Sequence, residues 1–252
     1  MSAPIDSHGH LGPYAPFQVP RYGAGDLVRR MDAMGVERLV LSSHAVFSSD
    51  VDWGNDLAAR ACAEHPGRIF AFAGVNPNYP DTAEETLRRA FACEGFLGIK
   101  LHAECHKHAL EGPGYQKAWE WADENGCPVL IHFWRNSRQC GPENVRRTAS
   151  RYPGVRIVLA HLGGTGSDYR SVVPLAREHD NLWFDTCGSR HCRGTIEALV
   201  AGGLGKRLLY GSDMPFIDPG SQLGKVQHAS VPDDVRRDIL RNNAMRLFGW
   251  EE

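Results

Sequence analysis

Eight times along the chain, a short run of apolar and β-branched residues is followed by a stretch with helical periodicity. The runs fall at 5–12, 36–44, 69–76, 96–102, 128–132, 155–161, 182–186 and 207–213. Helices are expected after them at 27–34, 55–64, 82–93, 116–124, 142–151, 167–179, 195–201 and 232–248. The punctuation agrees: Asp26 precedes the first helix and Gly35 stops it, while Glu84 and Glu85 open the third and Arg88 and Arg89 follow, matching the helix dipole. Consecutive strands that are apolar on both faces and separated by helices imply a parallel sheet covered on both sides. Eight such units in 252 residues make an α/β chain of the size of a single (β/α)8 TIM barrel. No composition break divides it, so one domain over 1–252 is expected. A doubly wound open sheet is the competing architecture. It carries a glycine-rich phosphate loop after its first strand, and this chain has Asp6-Ser7-His8-Gly9-His10 there instead.

His8 and His10 sit two apart on a strand, so their side chains project to one face and two imidazoles converge. Imidazole is the commonest protein ligand for zinc and similar metals. Gly9 keeps the opposite face small and Gly12 lets the chain turn away. The other expected strands end in the same kind of residue: His44, Asn76, Lys100 and His102, His132, His161, Asp185 and Thr186, Asp213. In a closed barrel all these ends face one rim, where the active sites of this fold are built. Six of the twelve histidines therefore fall at strand ends, which random placement would not produce.

A formal net charge of −2 gives no reason to expect nucleic acid or an anionic membrane as partner. No leader pattern and no apolar run long enough to span a bilayer is visible. Seven cysteines, scattered and without a C-x-x-C pair, fit reduced thiols in a cytoplasmic protein. A small-molecule substrate is expected, and a homodimer is compatible with the sequence.

These residues, taken with several longer motifs, resemble the amidohydrolase superfamily, in the amidohydrolase-related branch that contains aminocarboxymuconate-semialdehyde decarboxylase-like proteins. The matching segments are Asp6-x-His8-x-His10, Gly98-Ile99-Lys100-Leu101-His102, Pro128-Val129-Leu130-Ile131-His132 and Leu159-Ala160-His161-Leu162-Gly163-Gly164. Tyr210-Gly211-Ser212-Asp213-Met214-Pro215 and Asn242-Asn243-Ala244-x-Arg246-Leu247-Phe248 complete the set. They span the chain in order. The resemblance implies a metal site at the C-terminal rim of the strands, with His8, His10, His132 and Asp213 as ligands. His161 would ligate a second ion or stand beside the first and polarise the substrate. Three imidazoles and a carboxylate suit zinc, with manganese or iron less selectively accommodated. Lys100 is open between two roles: a carbamate bridging two metals, or a cation pairing with a substrate carboxylate or Asp213.

Around this set, His102 shares the face of Lys100 and is expected at the rim. Arg135 and Arg190, with His191, lie on loops where they can hold an anionic group. His44 is either a rim donor or a packing residue. His106 and His108 read as surface residues. Cys105, Cys140 and Cys187 read as packing residues, and Trp53, Phe133 and Trp134 as pocket walls or loop packing. The expected activity is hydrolysis of a small amide, lactone or ester by a metal-activated water, with Asp213 as proton carrier and Lys100 and His161 assisting. The alternative is metal-dependent non-oxidative decarboxylation of a small unsaturated or aromatic carboxylic acid. Chain size favours hydrolysis, because decarboxylases of this branch carry longer, pocket-sealing insertions.

Overall fold

The computed structural model of the chain describes residues 3–14, 18–48, 50–162, 169–188 and 193–250. In order, the first half holds β1 (Ile5–Leu11), α1 (Ala24–Met34), β2 (Arg38–Ser43), α2 (Ala45–Ser48), α3 (Val51–Glu64), β3 (Ile69–Gly74), α4 (Ala83–Phe91) and β4 (Phe96–Leu101). There follow α5 (Ala103–His106), α6 (Gln116–Asn125), β5 (Val129–Ile131), α7 (Pro142–Arg151), β6 (Ile157–Leu159) and α8 (Tyr169–Glu178). The last part holds β7 (Leu182–Asp185), α9 (Thr195–Ala201), β8 (Leu208–Leu209), α10 (Pro219–Gln227), α11 (Asp233–Arg237) and α12 (Asn243–Phe248). The eight strands pair in sequence order, every neighbour parallel. The seam between β8 and β1 is joined by Ser7 N–H to Tyr210 O (2.9 Å), Asp213 N–H to His8 O (2.8 Å) and His10 N–H to Met214 O (2.7 Å). The nearly closed sheet and its alternating helices are the TIM barrel expected from the alternation, with all eight expected strands in place.

Strand period two divides the core in two. Ile5, Val40, Phe72, Leu130, Val158 and Leu209 fill the barrel, closed below by Ala244, Met245 and Leu247 of α12. Their neighbours Leu39 and Leu41, Ala71 and Ala73, Val129 and Ile131, and Ile157 and Leu159 point outward against the helices, meeting residues such as Leu27, Met31, Leu87 and Trp119. In β1 the pairing with β2 shifts register between Asp6 and Gly9. Beyond the shift Gly9 faces outward, where an added Cβ would lie 2.7 Å from Leu39 Cδ1. His8 and His10 are thereby left facing inward together, as their spacing requires.

Three helices are additional to the eight expected: α2, α5 and α10, in the loops after β2, β4 and β8. The first two are four residues long, too short to show a period. α10 has a readable start: Asp218 Oδ1 accepts the Ser221 N–H (2.8 Å), and Pro219 occupies the first helical position. α3 begins before residue 55 because Asp50 caps it, accepting the Trp53 N–H at 2.9 Å. Asp26 is not the cap of α1, which starts beyond Gly23; it sits in the first turn beside Arg29. The single helix expected over 232–248 is interrupted by a π-helical stretch, Asp238–Asn242. Ile239 within it gives its carbonyl to the Tyr210 N–H at 2.8 Å, so a helix completes the edge of the two-residue strand β8. No helix among the described residues is long and apolar enough to cross a membrane.

Candidate metal centre and pocket

The strand ends converge on a cavity of about 880 Å³ lined by His10, His44, Lys100, His102, His132, His161 and Asp213 from the strands, and by Tyr14, Phe47, Trp134 and Phe216 from the loops. His8 lies beneath it, fully buried. Backbone shape at two ends is unusual: His161 has φ 63° and Asp213 has φ 61°. These left-handed turns bend the chain at the ends of β6 and β8 and are costly for residues with a Cβ.

Asp213 Oδ1 lies 3.0 Å from His10 Nε2 and 4.0 Å from His8 Nε2. The three donor atoms all fall within 4.8 Å of one another. Atoms bonded to one ion at about 2.0–2.2 Å sit about 3–4 Å apart, so His8, His10 and Asp213 fit a shared divalent ion. Their second atoms are held in turn. His8 Nδ1–H donates to Asp185 Oδ2 at 2.7 Å, and Ser42 Oγ lies 3.2 Å from His10 Nδ1. A carboxylate behind a ligating imidazole fixes its tautomer and raises its basicity. Asp185 is fully buried, and its neighbour His8 holds its carboxyl well below the usual range in spite of burial.

The remaining expected ligand, His132, is in the same cavity but not in that group of three. Its ring stacks on His102 (centroids 4.0 Å, 13°) and meets His161 edge-on at 4.7 Å. His161 lies 5.2 Å from the His8 ring and carries Trp134 stacked on its other side at 5.7 Å. Burial, followed by the neighbouring imidazoles and Lys100, pushes the pKa values of His10, His102 and His132 well below 6.5. Burial lowers His161 to about 4 and His44 to about 2. All five are held neutral at pH 7, the state that metal ligation requires. His44 stacks on His10 at 4.3 Å and donates Nδ1–H to Gly12 O at 3.3 Å, so it packs and bonds at once.

Lys100 is 1% exposed. Its Nζ lies 3.3 Å from His8 Nε2, the atom that also faces Asp213. Burial lowers its pKa, opposed by the charges of Asp185 and Asp213. His102 lines the pocket, its Nδ1 accepting the Cys105 N–H at 3.3 Å. Arg135 is exposed and does not line it. Arg190 and His191 lie outside the described residues.

Several expectations need correction. Cys187 is not a mere packing residue: its sulfur is 3.0 Å from both His161 Nδ1 and Asp185 Oδ1. His106 is buried, not at the surface, with Nδ1 2.7 Å from the Tyr115 hydroxyl and Nε2–H donating to Val46 O at 3.1 Å. Of the three candidate walls only Trp134 lines the pocket, since Phe133 is fully buried and Trp53 is exposed on α3. Asp185 is recognisable in the sequence only as a strand end; its role as acceptor for His8 and for the His161 N–H comes from the structure. Tyr14, Phe47 and Phe216 gave no signal in the sequence, because loop shape alone brings them to the rim.

A TIM barrel with imidazoles and a carboxylate gathered at its C-terminal rim has the donor set that a divalent ion requires, at the end of the barrel where enzymes of this fold build their active sites. The chain belongs to the amidohydrolase family, whose model matches residues 5–250, and it is an enzyme of the amidohydrolase superfamily. It is similar to gamma-resorcylate decarboxylase of Rhodococcus jostii (strain RHA1), 23% identical with 88% of this chain and 86% of that protein covered. Among solved structures it is similar to 2,6-dihydroxybenzoate decarboxylase from Rhizobium, with a TM-score of 0.77, 20% identity, and 99% of each chain covered. It is also similar to dihydroxybenzoic acid decarboxylase from Polaromonas sp. JS666, solved with manganese and the inhibitor 2-nitroresorcinol: TM-score 0.75, 18% identity, 99% of this chain and 97% of that one. At these identities the two structures establish the shared fold.

These relatives overturn the expectation of hydrolysis. The premise of the size argument holds, since the alignment runs over 283 positions while covering 88% of this chain, so the Rhodococcus decarboxylase carries insertions that this chain lacks; what fails is the step from chain size to reaction. A shared barrel carries different reactions on its loops, so length is a poor guide to chemistry.

Proposed function

We propose that the protein is a divalent-metal-dependent, non-oxidative decarboxylase of a small aromatic carboxylic acid bearing a ring hydroxyl. The observation that carries the reading is the juxtaposition of an aromatic slot with a buried cation and a carboxylate. Tyr14, Phe47, Trp134 and Phe216 line the cavity of about 880 Å³ together with Lys100 and Asp213. The decarboxylase relatives support the same reaction type.

His8, His10 and Asp213 would hold one ion in this reading, His161 would join them as a further ligand, and His132 completes the wall beside it. The imidazole and carboxylate donors accept manganese as well as zinc. Such an ion supplies positive charge for the substrate's anionic oxygens. Lys100, unmodified, adds a second cation within reach of a carboxylate or phenolate. The aromatic walls remove water from around the carboxylate, which raises the energy of the charged group relative to neutral carbon dioxide. Asp213, facing the histidines through Oδ1, would pass the incoming proton through its other oxygen to the ring carbon that bears the carboxylate. The ring–carboxylate bond then breaks, its electrons return to the ring, and carbon dioxide leaves; one proton is taken up and one carbon dioxide released. Trp134 and His161, stacked on each other, shape one wall of the slot. We place the protein in the cytoplasm, on the strength of its free cysteines.

The test is release of carbon dioxide from a panel of hydroxybenzoates, including 2,6-dihydroxybenzoate, by protein loaded with manganese(II). Asp213→Asn should lower turnover by about 10²–10⁴-fold, the usual range for a lost proton donor. No carbon dioxide from any member of the panel, with metal bound, would refute the reading.

A further inference from the structure

Cys187 follows β7 and has no accessible surface. Its sulfur lies 3.0 Å from His161 Nδ1, 3.0 Å from Asp185 Oδ1 and 3.3 Å from His8 Nδ1. A thiol carries one hydrogen, so these contacts form a small proton-counting problem. Asp185 accepts everything offered to it: Oδ1 takes the backbone N–H of His161 (2.9 Å) and of Cys187 (3.2 Å), and Oδ2 takes His8 Nδ1–H (2.7 Å). An ionised carboxylate has no hydrogen to give. The Cys187 S–H must therefore point at Oδ1, since otherwise a sulfur lone pair and a carboxylate oxygen would face each other at 3.0 Å. The sulfur is then left as the acceptor for His161 Nδ1–H. Each hydrogen is used once; the 3.3 Å approach of the sulfur to His8 Nδ1 takes none, because that hydrogen is already given to Asp185 Oδ2.

We propose that Cys187 is a positioning residue whose thiol relays Asp185 to His161 and fixes His161 in the Nδ1–H form, with a bare Nε2 facing the cavity. Asp185 does this for His8 directly and for His161 through the sulfur. One carboxylate thus sets two imidazoles of the pocket. A neutral imidazole in water favours the opposite tautomer, so without the relay His161 would turn a hydrogen towards the cavity where an acceptor or ligand is needed. A serine at this position keeps both a donor and an acceptor; an alanine removes both. The consequence for metal holding rests on the function proposed above, whereas the tautomer of His161 does not, so the two can fail separately.

The experiment uses metal-free full-length protein labelled with ¹⁵N-histidine, in which long-range ¹H–¹⁵N spectra report which ring nitrogen carries the hydrogen. The His161 signal is identified by its loss in His161→Gln. The expected result is Nδ1–H in the wild type and in Cys187→Ser, and a shift towards Nε2–H in Cys187→Ala. Manganese(II) affinity should fall about 10–100-fold in Cys187→Ala, as for other partners of ligating histidines, and recover in Cys187→Ser. Should the alanine variant fail to fold, the wild-type spectrum and the serine variant still decide. An Nε2–H His161 in the wild type overturns the proposal. So does an alanine variant with unchanged tautomer and affinity, in which the thiol only fills space. A loss of one bound manganese per chain in both variants also overturns it, because Cys187 would then be a ligand itself.

Discussion

Asp185→Asn changes one oxygen into an NH₂ group while keeping the shape of the side chain. Two backbone N–H groups converge on Oδ1, from His161 at 2.9 Å and Cys187 at 3.2 Å, so the amide oxygen must stay there. The new NH₂ then takes the place of Oδ2, 2.7 Å from His8 Nδ1. Two donors cannot face each other at that distance, so His8 gives up its Nδ1 hydrogen and carries it on Nε2. That is the atom that faces Asp213 at 4.0 Å and Lys100 at 3.3 Å. A ligand bearing a hydrogen on its binding atom must lose it before it binds. Removing the outer partner of a ligating histidine lowers metal affinity by about 10–100-fold, which is about 1.4–2.7 kcal/mol. The upper end is expected here because the partner reverses from acceptor to donor. Losing a charged acceptor also removes about 1.5–3 kcal/mol of hydrogen bonding, so the melting temperature should fall while the barrel still forms. Manganese(II) affinity is measured by competition with a chelator, with far-ultraviolet circular dichroism as the check on folding. A folded variant binding manganese within about threefold of the wild type would show that Asp185 does not set the His8 tautomer.

Lys100→Ala should leave the metal content at one ion per chain by elemental analysis while raising KM for the carboxylate substrate; loss of one metal equivalent, restored by a short carboxylic acid, would instead reveal a bridging carbamate. His106 gives a pH prediction: burial lowers its pKa from 6.5, so its contribution to stability is complete above that pH and is lost as the pH falls. In urea unfolding below that pH, His106→Gln should flatten the loss of stability by up to about 1.4 kcal/mol per pH unit, and an unchanged slope would mean that His106 does not take up a proton on unfolding. Leu87→Ala, in the fully buried face of α4 against the barrel, should cost about 2–5 kcal/mol by chemical denaturation without altering manganese affinity, because it lies in the outer core.

What could be read from the sequence, and what could not, divides along a physical line. The strands were legible because β-branched and apolar runs bounded by glycine, proline and helix caps leave little choice of conformation. Once eight of them close in order, the residue at each C-terminal end is carried to one rim. His8, His10, Lys100, His132, His161 and Asp213 could therefore be brought to one cavity from their positions alone. Relations across the rim were not legible. Whether His132 shares an atom-to-atom neighbourhood with Asp213 or stacks on His102 depends on the tilt of strands and on rotamers, and the structure shows the stacking. Asp185 stood in plain view at the end of β7, but its use as the acceptor for His8 joins residues 177 apart in the chain. Cys187 was hidden for a further reason: a lone buried cysteine looks like packing until the neighbours of its sulfur are known. Loop residues such as Tyr14 and Phe216 were invisible because no periodicity governs them, and in this fold the loops choose the substrate. The same division applies to the reaction. Rim histidines and a carboxylate suit water activation and decarboxylation alike, whereas the aromatic lining beside Lys100, on which the proposed aromatic acid substrate rests, is loop geometry.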